Sequence, residues 1–117
     1  MKLSTIIYQY FDQYLPRIKG VSSDTIKTYR EAFALFLSFS AQKLSIAAKD
    51  IEIEHITSDL IFDFLDYLEN ERNNTSRTRN NRLATLKSLA KMIRLMHPEY
   101  REISEMILNI PQKRFQK

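Results

Sequence analysis

Cysteine is absent, so disulfides and thiolate metal sites are ruled out. One Gly and three Pro in 117 residues are too few for the many turns of an all-β domain. An all-α fold is therefore expected. The two histidines, His55 and His97, lie far apart, and a zinc site built on them would need carboxylate help, so no metal site is expected. No apolar run reaches the ~18 residues of a membrane span, and no membrane partner is expected. The N-terminal stretch is broken by Gln9 and Asp12 and lacks a small-residue cleavage site. It reads as a first helix, with a cytoplasmic location as the default. No paired carboxylates, nucleophile constellation or Gly-rich phosphate loop stands out. No catalytic residue, cofactor or small-molecule substrate is expected.

What is present is a hydrophobic fraction of 44%, enough for the core of one domain of ordinary size. The net charge of +4 is modest, but its distribution is not. Asp50 to Glu71 holds eight acidic residues and no Lys or Arg. Arg72 to Arg94 holds seven Lys or Arg residues and no acid. Two helices so charged would present faces of opposite potential, and the basic one makes a polyanion the first partner to consider.

Apolar spacing predicts four to five helices. The first runs from Leu3 to Leu15, closed by Pro16 and Gly20. The second runs from Ser23 to Leu44, capped from Ser22, Ser23 or Asp24, with Ile26, Tyr29, Phe33, Phe36, Leu37 and Ser40 on one face. Residues 50–56 alternate polar and apolar and read as a short extended stretch that buries Ile51, Ile53 and Ile56 outside any sheet. The third helix runs from Ser58 to Arg72, with Leu60, Ile61, Phe64, Leu65 and Leu68 inward. After a polar turn at 73–76, the fourth runs from Ser76 to His97 and stops before Pro98. A last helix is expected over 99–109. Residues 1–110 read as the domain and 111–117 as the start of a linker.

On a wheel of 100° per residue, Leu83, Leu86, Leu89, Ala90, Ile93 and Met96 form one face of the fourth helix. Asn80, Lys87, Lys91 and Arg94 form a separate stripe within roughly 60°, with Ala84 beside it. Arg77, Thr78, Arg79 and Arg82 cluster in the first turns. Cations there oppose the helix dipole at a cost of a few tenths of a kcal/mol each, which contact with phosphate would explain. A second account pairs Arg79 or Arg82 with Asp66 or Glu69; exposed pairs of that kind contribute only ~0–1 kcal/mol. The start of the second helix, with Ser23, Thr25, Lys27, Thr28 and Arg30, offers hydroxyls and charge as well. Two such helix starts suit the grooves of one duplex. A basic helix docking an acidic protein partner is the alternative reading.

The run Ser-Ser-Asp-Thr-Ile-Lys-Thr-Tyr-Arg at 22–30, followed by Phe-Leu-Ser-Phe, and the run Thr78-Arg-Asn-Asn-Arg-Leu-Ala-Thr-Leu-Lys-Ser88 together resemble the tyrosine recombinases, or phage integrases. The matching part is their N-terminal core-binding domain, over Leu3 to Ile110. The resemblance implies a SAM-like helical bundle that binds double-stranded DNA, with its second and fourth helices near the major groove. It implies a separate C-terminal catalytic domain with a Tyr nucleophile, outside this stretch, and protomers acting as tetramers on two duplexes. Carried over by motif, the resemblance implies that Thr25, Lys27, Thr28, Arg79, Asn80, Arg82 and Lys87 face DNA. Ser23, Arg30, Arg77, Thr78, Lys91 and Arg94 join them on charge and position.

Overall fold

The computed structural model describes residues 1–114, which form two compact units, Met1–His55 and the stretch from Ile56 onward. The described residues are helical throughout apart from turns and one isolated bridge, in agreement with an all-α fold.

In the first unit, α1 (Leu3–Gln9) runs on without a break into a π-helical segment, Tyr10–Lys19. Pro16 lies inside that segment and does not end the helix, contrary to expectation. In an α-helix the Pro ring collides with the carbonyl four residues earlier. A wider π turn relieves that crowding, at the loss of one bond. The stop comes at Gly20, whose left-handed φ of 60° suits a residue without Cβ and whose N–H donates to the Leu15 carbonyl at 2.8 Å. α2 (Ser23–Leu44) starts at Ser22, whose hydroxyl accepts from the Thr25 N–H. Phe33, Phe36 and Ser40 of its expected inward face are buried. Tyr10 is fully buried and meets Phe11, Tyr14 and Phe33 at ring separations of 5.2, 5.6 and 5.4 Å. Edge and offset contacts of this kind add ~0.5–1.5 kcal/mol each beyond burial.

The alternating stretch forms two short 3₁₀ turns, Ala48–Asp50 and Ile53–His55. Its extended partner is the chain start: the Leu3 N–H donates to Ile51 at 2.9 Å, and the Ile53 N–H to Met1 at 3.0 Å. One antiparallel bridge, Lys2 to Glu52, results. Ile51, Ile53 and Ile56 are buried as the alternation predicts.

In the second unit, α3 (Ser58–Asn70) is capped by Thr57 and buries Leu60, Ile61, Phe64, Leu65 and Leu68. It ends two residues earlier than expected. The turn that follows places Asn73 at φ 56°, a conformation Asn tolerates. α4 (Ser76–Met96) is capped by Thr75 and buries Leu83, Leu86, Leu89, Ala90 and Ile93. A 3₁₀ turn over Pro98–Tyr100 leads to α5 (Arg101–Leu108). The Ser104 hydroxyl donates to the Ala90 carbonyl at 2.8 Å and ties α5 to α4.

Candidate nucleic-acid interface

The residues expected to face a polyanion fall in both units. In the first, Ser23, Lys27, Thr28 and Arg30 are exposed on the opening turns of α2, and Thr25 is half-buried. Two of the three hydroxyls serve the helix itself. Thr25 receives a bond from the Ser22 hydroxyl at 3.0 Å, and the Thr28 hydroxyl donates back to the Asp24 carbonyl at 3.1 Å. The Arg30 guanidinium lies 4.8 Å from the centre of the Phe11 ring. Arg30 also lines a groove of about 480 Å³ with Tyr8, Phe11, Phe33 and Leu37; no other candidate residue touches that groove.

On α4 the basic residues divide. Arg77, Lys91 and Arg94 are exposed, and Lys87 is half-buried. Ala84 and Leu95, which is 63% exposed, lie on the same outer sector. Among the described residues no ion pair joins any of these four cations to an acid. Lys87 and Lys91 are one turn apart, where like charges repel by a few tenths of a kcal/mol. Burial, and then the neighbouring Lys91 charge, pull the Lys87 ammonium below the ordinary lysine range.

Arg79 and Asn80 behave differently. Both were expected on the outer surface, and both are buried, at 8% and 4% exposure. The Arg79 Nε stands 3.6 Å from Glu69 Oε1, and its Nη1 donates to Asn80 Oδ1 at 3.1 Å. The pairing of Arg79 with Glu69 is thus the outcome on this helix, as the second account had it. Asn80 sits on the outer side of the helix by register, yet the segment after α5 covers it. Its Nδ2–H donates to the Lys113 carbonyl at 2.7 Å, and the Lys113 N–H donates to its Oδ1 at 2.9 Å. Lys113 Nζ also reaches Glu69, at 2.9 and 3.2 Å from its two oxygens. The expected outer stripe is therefore corrected to Lys87, Lys91 and Arg94, with Arg77 and Ala84 beside it and Asn80 removed. Arg82 is half-buried. Thr78 is half-buried too and receives a bond from the Thr75 hydroxyl at 3.3 Å.

Lys113 carried no expectation beyond a place in the linker. No local pattern announces it, because its partner Asn80 lies 33 residues away. Of the residues assigned to the linker, 115–117 lie outside the described residues.

Among the described residues no group of three or more His, Asp or Glu residues is placed to hold a metal ion, and no helix is long and apolar enough to cross a membrane. Two proteins of Sinorhizobium fredii named as integrase/recombinase, y4rD and y4rC, are similar to this chain. Each is 33% identical to it, over 112 and 113 residues, or 96% and 97% of the chain. The chain spans 40% and 34% of their respective lengths. No solved structure gives a significant match. The family described as phage integrase, N-terminal SAM-like domain, matches residues 8–95, which span both charged helix starts and the whole basic stripe. The chain belongs to that family of N-terminal SAM-like domains of phage integrases.

Proposed function

We propose that this chain is the DNA-binding, core-binding domain of a site-specific tyrosine recombinase. Its task is to hold double-stranded DNA through the outer sector of α4 and the opening turns of α2. One observation carries the reading. Four cations of one helix, Arg77, Lys87, Lys91 and Arg94, have no acidic partner among the described residues, and burial disfavours the charge of one of them. A helix that only needed stability would not keep them so. Phosphates supply the missing negative charge, and the exposed Ala84 leaves room for a backbone to come close.

Lys27 and Arg30 add charge from α2, and Ser23 adds a hydroxyl. Arg79 and Asn80 contribute by supporting α4 and its neighbours: the Arg79 guanidinium is held beside Glu69 and Asn80, and the Asn80 amide is bonded to Lys113. Strand cleavage and rejoining, assembly of protomers on two duplexes, and a cytoplasmic setting belong to the whole recombinase, whose catalytic Tyr we assign to sequence outside residues 1–117. Residues 111–117 are read as the start of the path toward that catalytic part.

The test is duplex binding across a salt series. With about five phosphate contacts, log K falls against log salt with a slope near −4.5. A slope near zero, or no binding to any duplex at low salt, overturns the reading and leaves an acidic protein partner as the occupant of α4.

A further inference from the structure

The register of α4 points Asn80 outward, yet only 4% of it is exposed. What covers it is backbone. The Asn80 amide donates to the Lys113 carbonyl and accepts from the Lys113 N–H, at 2.7 and 2.9 Å. Arg79 Nη1 donates to the same Oδ1 at 3.1 Å. Those two donors, Arg79 and the Lys113 N–H, fix which end of the amide is oxygen, since the flipped amide would set NH₂ against both. Lys113 Nζ then closes on Glu69, which also stands beside Arg79. One residue from α3, two from α4 and one from the segment after α5 are joined in a single cluster. Upstream, Ile110 is buried and anchors the start of that segment.

We infer that Asn80 is a positioning residue that latches the chain leaving α5 onto α4, and so sets the direction in which the main chain runs from Lys113 to Arg114. Arg79 aims the amide, and Glu69 holds the Lys113 side chain to the same spot. This role asks nothing of DNA. It accounts for an outward register, a buried amide and a pair of bonds to the main chain of one residue.

Backbone-amide hydrogen exchange, measured by NMR on the 117-residue chain, tests it. The Lys113 N–H exchanges at least tenfold more slowly than those of Gln112 and Arg114, after correction for intrinsic rates. In Asn80→Ala that protection is lost, while the Leu89 and Ala90 amides of α4 keep theirs. An unprotected Lys113 amide in the unaltered chain, or equal protection in Asn80→Ala, overturns the inference. If Asn80→Ala also unprotects Leu89 and Ala90, the Asn80 side-chain NH₂ of the unaltered chain is read instead, since it donates to the Lys113 carbonyl. One of its protons exchanges at least tenfold more slowly than the NH₂ of the exposed Asn81, and equal rates overturn the inference. Because no duplex is present, failure here is separate from failure of DNA binding.

Discussion

Arg79 and Asn80 near the start of α4, and Lys87, Lys91 and Arg94 in its second half, are polar residues of one helix used in opposite ways. Near its start, Arg79 is drawn inside against Glu69, and Asn80 is capped by backbone. Two turns later, Lys87, Lys91 and Arg94 stand without an acid among the described residues. Charge along the sequence does not separate the two groups. What separates them is whether a carboxylate and a strand of main chain arrive from elsewhere. A basic run is thus two things on one rod: a brace, and a surface with unspent charge.

The largest effect that bears on this contrast is expected from Lys87→Glu with Lys91→Glu. Reversing two charges of the proposed DNA-binding surface is expected to lower duplex affinity about 100-fold at low salt and to flatten the salt slope, with helicity unchanged by circular dichroism. An unchanged affinity moves the binding surface off this half of α4. Next in size is Glu69→Ala, which leaves Arg79 buried without its carboxylate. A loss of about 2 kcal/mol in urea unfolding is expected, below the ~3–5 kcal/mol of fully buried pairs because Glu69 keeps some exposure. Arg94→Ala should stay within ~0.5 kcal/mol. Equal costs for the two would erase the distinction between brace and surface.

The smallest effect concerns Lys87. Its ammonium is held below the ordinary lysine value of 10.5 by burial and then by Lys91. Being charged therefore costs the fold stability below the folded pKa. That cost fades as pH rises through the folded value toward the unfolded one. Lys87→Gln should gain a few tenths of a kcal/mol at neutral pH, the scale of a like-charge pair one helical turn apart. The gain should vanish above about pH 10.5. Thermal melts at neutral and alkaline pH compare the two. A gain that persists at high pH would assign it to packing.

The helices were legible because periodicity is a local property. Leu83, Leu86, Leu89, Ala90 and Ile93 repeat every three or four residues and are the buried face of α4. The polar residues before α2 and the polar turn before α4 likewise precede caps, which fall on Ser22 and Thr75. Pro16 misled because its usual effect presumes an α-helical ladder, and the chain there adopts a wider one. Asn80 misled for a different reason. A helical wheel reports which way a side chain leaves its own helix, and it holds no information about a segment 33 residues downstream. The exposure of Lys91 and Arg94 was therefore legible in charge and register, and the burial of Asn80 was not, because distant backbone fills a position that register leaves open.

The Asn80 amide carries a donor and an acceptor side by side, as the N–H and C=O of one extended residue are. Facing Lys113, it supplies both partners that the edge of a strand would supply. A protein whose described residues are helical apart from turns and one short bridge thus makes a second rung of a ladder from a side chain. That rung has narrow chemical tolerance. Asp lacks the donor, Ser cannot span both bonds, and Gln sets the amide one carbon too far out. The position is specified by shape as tightly as a metal ligand would be, in a chain where composition alone promised only solvated charge.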